Sequence, residues 1–219
     1  MKKKVLLLAG LMFALSMTAC SGSTPAAAPS QAPAAPSTPA AATTPEAAPA
    51  ASSDLVSLEG VLLEGPVILT SVGQSADVSI VNTLFSKSGV DASMSNTLTA
   101  NDLGGYKTLV LAIGGSSKGL GAAGINENQE LERVNALIAK AKEDGIKILS
   151  LHIGGSARRG VLSDMFIPSS IENADAAIIL TEGDSDNLMR NILVEKGIPT
   201  EYITTQIDTM EPIKALFGK

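Results

Sequence analysis

Short apolar runs alternate with amphipathic stretches from about residue 54 to the C-terminus. Four runs are continuously apolar and of strand length, which is the pattern of strands covered by helices on both faces. They are residues 66–71, 108–113, 147–153 and 176–181. Two more polar runs, residues 90–96 and 201–205, are typical of edge strands. The pattern therefore predicts a sheet of five to six strands.

Helical periodicity fills the intervals between these runs. The clearest helix is predicted over residues 126–144, where apolar side chains recur on one face. Asn126 and Gln129 have the spacing of a capping pair, and Gly145 follows as a stop signal. Further helices are predicted over residues 75–88, 163–173, 184–196 and 209–217.

This alternation predicts a doubly wound α/β domain, a three-layer sandwich of the flavodoxin-like or Rossmann-like type with a mostly parallel sheet. The second strand is short and polar, so it belongs at an edge of the sheet. We therefore expect the strand order 2-1-3-4-5, with the sixth strand outside the fifth. The other common order, 3-2-1-4-5-6, would bury this polar strand.

The N-terminus has the layout of a bacterial lipoprotein signal. Lys2, Lys3 and Lys4 precede a short apolar run, and small residues lead directly into Cys20. We expect residues 1–19 to be a signal peptide and Cys20 to carry a fatty acyl anchor such as palmitate. The protein would then be an extracytoplasmic, membrane-anchored lipoprotein that contacts the lipid bilayer through Cys20. A plain secretory signal with an incidental cysteine remains the alternative.

Residues 21–53 consist almost wholly of Ala, Pro, Ser and Thr, and Glu46 is their only charged residue. Such a composition has no side chains with which to bury a core and offset the entropy of ordering the backbone. We expect residues 20–53 to be the lipidated cysteine followed by a disordered spacer. Residues 54–219 would then form a single domain.

Composition excludes several functions. The formal net charge is −6, which argues against binding to nucleic acid because an acidic surface repels phosphate. Cys20 is the single cysteine and His152 the single histidine, so neither a disulfide nor a metal site built from nitrogen and sulfur ligands can form. We expect no metal and no cofactor.

Three loops rich in Gly and Ser follow the first, third and fourth strands. In a doubly wound sheet such loops meet at the carboxyl edge, where ligands bind at the point of winding reversal. Backbone N–H groups, hydroxyls and three cations at this edge would form an anion site, with the histidine beside it. The predicted ligand-binding residues are Gly73, Gln74, Ser75, Gly114, Gly115, Ser116, Ser117, Lys118, His152, Gly155, Ser156, Arg158 and Arg159. Alternatively, the glycines are turn residues and the cations pair with local acids such as Asp164 and Glu182.

Better-known motifs at these loops fail on their context. Residues 119–124 spell the dinucleotide pattern G-x-G-x-x-G, but they begin several residues beyond the third strand. Residues 115–119 spell the hydrolase pattern G-x-S-x-G, yet the next helix is expected only at Asn126. Ser117 or Ser116 with His152 is therefore a weak catalytic alternative.

Four runs of the chain resemble those of bacterial secreted proteins and lipoproteins grouped as domain-of-unknown-function family 6305. The runs are PVILTSVGQSAD, AIGGSSKGLGAAGI, QELERV and LHIGGSARRG. The similarity covers nearly all of residues 66–218. It implies the α/β fold and a location outside the cytoplasm, but no activity.

The leading interpretation is a lipid-anchored binding module for a small anionic ligand, a carboxylate or a phosphate compound, accessory to transport or sensing. Transport receptors usually clamp a ligand between two lobes, so a homodimer or a membrane transporter or sensor partner would complete a single-lobe site. Two alternatives stay open, an extracytoplasmic hydrolase and a structural or partner-docking domain.

Overall fold

The computed structural model describes residues 55–219. The predicted signal peptide, Cys20 and the spacer lie outside the described residues, so these assignments stay predictions. Of the described helices, none combines the length and the apolar character that a bilayer crossing requires. Within residues 55–219, no group of three or more His, Cys, Asp and Glu side chains is placed to hold a metal ion.

Six strands form one sheet in which all neighbouring strands are parallel. The strands are β1 (Val67–Val72), β2 (Ala92–Met94), β3 (Thr108–Ile113), β4 (Lys147–His152), β5 (Ala176–Leu180) and β6 (Thr200–Ile203). Their order is β2-β1-β3-β4-β5-β6. This confirms the predicted doubly wound fold and the strand order, with the polar second strand at an edge.

Seven α-helices are found among the described residues. They are α1 (Asp77–Lys87), α2 (Ser117–Ala123), α3 (Glu127–Glu143), α4 (Val161–Asp164), α5 (Ile167–Ile171), α6 (Leu188–Lys196) and α7 (Met210–Leu216). The predicted helix over residues 163–173 is in fact the pair α4 and α5. Pro168 lies in the first turn of α5, where it has no N–H to continue an earlier helix, so the chain starts a new one.

Helix α2 was not predicted, because it contains two glycines, Gly119 and Gly121, and a third glycine is its C-cap. The side chain of Ser116 caps its start by accepting a hydrogen bond from the N–H of Gly119 (3.1 Å). Gly124 ends the helix in the left-handed conformation, at φ +69°. The caps and tertiary contacts therefore form a helix that intrinsic propensity does not favour.

The core consists of two apolar layers, one on each face of the sheet. Along β3, Leu109 and Leu111 face the layer that contains α3, α5 and α6, whereas Val110 and Ala112 face the layer that contains α1 and α7. Successive side chains of a strand point to opposite faces. A strand covered on both faces therefore has no position that faces solvent, which explains the largely apolar runs.

Residues 55–63, the lead-in segment, pack along the amino edge of the sheet before β1 begins. The carbonyl of Val56 accepts a hydrogen bond from the N–H of Thr200 at the start of β6 (2.8 Å), and the N–H of Leu63 donates to the carbonyl of Leu216 in α7 (2.7 Å). Leu58 and Leu63 are buried in the same layer as α7. The chain thus reaches the domain at the end opposite to the carboxyl edge.

Candidate functional site

The winding of the chain reverses between β1 and β3, because β1 lies between β2 and β3. Helix α1, which follows β1, covers one face of the sheet, and α3, which follows β3 after α2, covers the other. Ligands of doubly wound proteins bind where such loops separate beyond the carboxyl ends of the strands. The loops after β1, β3 and β4 do lie together at this edge, as their contacts show.

The loops after β1 and β3 are joined backbone to backbone. Gln74 and Gly115 form an isolated antiparallel bridge, and the N–H of Ser116 donates to the carbonyl of Gly73 (2.8 Å). Gly73 has φ +89°, and a Cβ there would lie 2.7 Å from the carbonyl oxygen of Gly114. Both conformation and space therefore require glycine at this position.

Gln74 has a positive φ of 59°, which is uncommon for a residue with a side chain. Its Nε2 donates to the carbonyl of Asn96 (2.9 Å) and to both carboxylate oxygens of Glu130 (3.1 and 3.2 Å). The N–H of Gly73 donates to the same carboxylate (2.9 Å). These hydrogen bonds hold the unfavourable backbone conformation in place.

Glu130 and Arg133, one turn apart on α3, form a buried ion pair at 2.7 Å. Glu130 is fully buried, and Arg133 also donates to the carbonyls of Ser71 (2.6 Å) and Leu98 (2.7 Å). Removing one member of such a pair typically costs about 3–5 kcal/mol. The pair therefore fixes the end of β1 and the loop that follows it. It does so from α3, on the face of the sheet opposite to α1.

Asp77 and Arg158 lie at the centre of the edge. The Nε–H of Arg158 donates to Oδ2 of Asp77 (2.9 Å), and the two side chains are 28% and 7% exposed. The two residues lie over glycines, because a Cβ at Gly114 would be 3.0 Å from Cδ of Arg158 and one at Gly154 would be 2.6 Å from Oδ2 of Asp77. Within residues 55–219, the two terminal nitrogens of Arg158 have no hydrogen-bond partner.

All three guanidinium nitrogens of Arg159 already donate hydrogen bonds within the protein. Its guanidinium pairs with Asp164 (2.8 Å) and Asp186 (2.8 Å) and donates to the carbonyl of Gly183 (2.6 Å). These carboxylates raise the pKa of Arg159, and the hydrogen bonds from Arg159 lower the pKa of Asp186 to about 2. Arg159 is therefore committed to holding the loops after β4 and β5 together.

The loop after β3 leads directly into α2. Ser116 is the N-cap of this helix, Ser117 is its first residue and is exposed, and Lys118 is exposed with no ion pair among residues 55–219. The expectation that no helix follows this loop before Asn126 was therefore wrong. Residues 119–124 lie within α2 and its C-cap, so the pattern G-x-G-x-x-G is not in a strand-to-helix turn.

His152 ends β4 and is completely buried. Its Nε2–H donates to the carbonyl of Arg158 (3.0 Å), and its Nδ1 has no hydrogen-bond partner within residues 55–219. The backbone of Gly183 covers the ring, since a Cβ there would lie 2.7 Å from Nδ1. Burial lowers the pKa of His152, and the charge of Arg159 lowers it further. The neutral ring thus supports the turn that carries Arg158.

No nucleophile and base pair is formed by Ser116, Ser117 and His152. The hydroxyl of Ser116 accepts from the N–H of Gly119, and within residues 55–219 neither ring nitrogen of His152 forms a hydrogen bond with a serine. A serine hydrolase needs its base within hydrogen-bond reach of the nucleophile. The arrangement therefore gives no support to the hydrolase alternative.

The remaining predicted residues are also engaged. Ser75 is 1% exposed, and its hydroxyl accepts from the N–H of Asp77 (3.2 Å). Gly155 is buried at φ +59°, and the hydroxyl of exposed Ser156 donates to Glu182 in a short hydrogen bond. These groups hold the loops to one another.

The structure contradicts the expectation of three free cations around one cleft. Arg159 is neutralised by two carboxylates, Arg158 shares its charge with Asp77, and Lys118 alone is unpaired among the described residues. The physical reason is that the edge also supplies acidic side chains at short distance. Arg158 and Lys118 both keep hydrogen-bond donors without a partner among residues 55–219, and of the two only Arg158 is held in place by an ion pair. The ligand-binding assignments stay predictions.

The sheet order and the loops at its carboxyl edge define the chain as a doubly wound α/β domain with a flavodoxin-like strand order. The chain belongs to the family described as domain of unknown function 6305 (DUF6305), whose model matches residues 64–217. All the residues of the carboxyl edge discussed above lie within this match.

A crystal structure of the psychrotrophic esterase EstA from Pseudoalteromonas sp., inhibited by monoethylphosphonate, is similar over 64% of this chain and 78% of that chain. The identity is 12% and the TM-score is 0.29. A likeness at this level carries no argument about function. No curated protein matches the sequence.

Proposed function

We propose that the protein is a lipid-anchored extracytoplasmic binding module for a small anionic ligand, accessory to transport or sensing. The observation that carries this proposal is the state of Arg158. Its guanidinium is held through Nε by Asp77, while both terminal nitrogens are unpaired within residues 55–219. These terminal nitrogens lie at the carboxyl edge of the sheet, beside the point where the winding of the chain reverses.

A guanidinium held in this way is suited to bind an anion. The ion pair with Asp77 and the packing against Gly114 and Gly154 fix the orientation of the guanidinium. The Arg158 side chain therefore has little rotamer freedom left to lose when a ligand binds. Its terminal N–H groups can form two parallel charge-assisted hydrogen bonds with a carboxylate or phosphate. Such bonds contribute roughly 1.5–3 kcal/mol each.

A thermal shift experiment on the full chain tests the proposal. The melting temperature is measured with butyrate, succinate, inorganic phosphate and sulfate in a low-chloride buffer. At least one of these anions should raise it, and Arg158→Gln should weaken the binding tenfold or more. Lys196→Gln is the control, because it removes one exposed positive charge from the last turn of α6, at the end of the sheet opposite to Arg158.

If none of the anions stabilises the protein, or if the effect survives in Arg158→Gln, the anion-binding proposal is wrong. The docking-domain alternative would then take its place.

The anchor is a separate part of the proposal and rests on the signal that precedes Cys20. Cys20→Ser should release the protein from the membrane fraction into the soluble extracytoplasmic fraction, as measured by fractionation and immunoblotting. Equal amounts of the variant and the parent in the membrane fraction would contradict the lipid anchor.

A further inference from the structure

The ion pair of Asp77 and Arg158 depends on where α1 begins, because Asp77 is the first residue of that helix. The N-cap residue, Ala76, has no side chain that could bond to the helix start. Instead, the hydroxyl of Ser75 accepts a hydrogen bond from the N–H of Asp77 (3.2 Å), and Ser75 is buried. A serine hydroxyl therefore holds the backbone of Asp77 in place.

The carboxylate of Asp77 occupies a confined position beside this hydroxyl. A Cβ at Gly114 would lie 3.0 Å from Oγ of Ser75 and 3.1 Å from Oδ2 of Asp77. A Cβ at Gly154 would lie 2.6 Å from the same Oδ2. Because the side chain follows its backbone, a shift of the first residue of α1 would move Oδ2 away from Nε of Arg158, which lies 2.9 Å from it.

Ser75 is itself held by Ser71, a completely buried residue of β1. The hydroxyl of Ser71 donates to the carbonyl of Ser75 (3.1 Å). The carbonyl of Ser71 accepts from Nη2 of Arg133 (2.6 Å), which is paired with Glu130 on α3. Each residue is thus hydrogen-bonded to the next in a series from α3 to the anion site, which runs through Glu130, Arg133, Ser71, Ser75, Asp77 and Arg158.

From this series we infer that Ser71 and Ser75 are positioning residues of the anion site. Both are buried, so they act through Asp77 and not by contact with a ligand. They keep the carboxylate of Asp77 where it binds Nε of Arg158 and leaves the terminal nitrogens for an anion. The role in binding rests on the proposed function, whereas the effect on Arg158 can be measured without a ligand.

The effect on Arg158 is measured by NMR of the full chain labelled with ¹⁵N. The chain contains four arginines, and Arg158→Lys assigns the Nε–H signal of Arg158 by removing it. A hydrogen-bonded N–H exchanges with water only when the bond opens. In Ser71→Ala and in Ser75→Ala, the Nε–H of Arg158 should exchange about fivefold faster, the factor that corresponds to loss of one buried hydrogen bond.

Ser150→Ala is the matched control for a general loss of stability. Ser150 is completely buried in β4, and its hydroxyl donates to the carbonyl of Ser170 (2.7 Å), the same type of bond that Ser71 makes. This variant should lose stability to urea as Ser71→Ala does. It should leave the exchange of the Arg158 Nε–H unchanged, because its hydrogen bond is not part of the series.

Binding is measured by calorimetry with butyrate, succinate, inorganic phosphate and sulfate. Every anion that binds the parent through Arg158 should bind Ser75→Ala about fivefold more weakly, since the guanidinium must then be ordered by the ligand. The affinity of Ser150→Ala should equal that of the parent.

The outcomes distinguish the positioning role from the proposed function. If the Arg158 Nε–H exchanges at the parental rate in Ser71→Ala and Ser75→Ala, or as fast in Ser150→Ala, the two serines do not position Arg158 and the inference is wrong. If exchange accelerates but the affinity of Ser75→Ala equals that of the parent, the positioning does not serve binding, and the inference is again wrong. If exchange accelerates and none of the four anions binds the parent, the proposed function is wrong, and with it the role of the serines in an anion site.

Discussion

At the scale of single residues, most groups at the carboxyl edge hold the loops to one another. At Gly73 and Gly154 other residues occupy the space a Cβ would need, and a Cβ at Gly114 would crowd Arg158 and Ser75. His152 donates to the carbonyl of Arg158 and is covered by Gly183. The glycine-rich loops therefore reflect close packing at the carboxyl edge, and they do not form an open row of N–H donors.

His152 should make stability depend on pH. Burial lowers its pKa in the folded state below the ordinary value of 6.5, so the unfolded chain binds a proton first as the pH falls. The stabilisation is complete above pH 6.5 and is lost as the pH decreases through 6.5 towards the folded pKa. The slope from this group can reach about 1.4 kcal/mol per pH unit.

The dependence is measured by urea unfolding between pH 5.5 and 7.5. His152→Gln keeps an amide donor for the carbonyl of Arg158, and it should be less stable overall but should lack this slope. His152 is the single histidine of the chain, so no other imidazole titrates in this interval. An unchanged slope in the variant would show that the neutral, buried state of His152 is not linked to folding.

At the scale of elements, the apolar pattern was sufficient to locate the six strands and the long helix α3. It could not reveal α2, whose composition disfavours a helix, nor the ion pair of Glu130 and Arg133. On a helix, two charged residues in a polar stretch look like a solvated face. Their burial depends on where the loop after β1 lies, which is a tertiary property. The sequence feature that set Glu130 and Arg133 apart was their position in QELERV, one of the four runs that resemble family 6305.

Helix α2 offers a matched pair of glycines for a test. A Cβ at Gly119 would overlap the carbonyl oxygen of Gln74, whereas a Cβ at Gly121 would meet no atom within 4 Å. Gly121→Ala should therefore stabilise the protein by about 0.5–1 kcal/mol through helix propensity. Gly119→Ala should destabilise it by about 1–3 kcal/mol, because the helix must move away from the loop.

Chemical denaturation of the two variants gives both values. Equal effects of the two substitutions would mean that α2 is not packed against the loop after β1.

At the scale of the whole molecule, the sheet order followed from one argument, the polarity of the second strand, and it is confirmed. The site was harder to predict, because the sequence places cations and acids in the same loops without saying which will pair. Arg158 and Arg159 are adjacent in the chain, yet one pairs with α1 and the other with the last residue of α4 and the loop before α6. Only the folded arrangement distinguishes them.

The lead-in segment should be part of the folding unit although the family match begins after it. A chain that starts at residue 64 loses Leu58 and Leu63, both buried, and the hydrogen bond to Thr200. Loss of one buried leucine side chain costs about 2–5 kcal/mol, so the melting temperature should decrease by about 10 °C or more. A chain that starts at residue 55 is the control and should retain the stability of the full chain.

Differential scanning calorimetry compares the two truncated chains. Equal melting temperatures would mean that the contacts of residues 55–63 contribute nothing to stability.

The lead-in segment joins the domain at the amino end of the sheet, whereas Arg158 lies at the carboxyl end. The chain arrives beside the first residue of β6, and all six strands then run in the same direction towards Arg158. Strands of up to six residues, at about 3.3 Å per residue, separate the two ends by roughly 20 Å. If Cys20 is anchored as proposed, the anchor is connected to the domain at the end of the sheet opposite to Arg158. The attachment itself would then leave the Arg158 end of the sheet accessible to a solute in the surrounding medium.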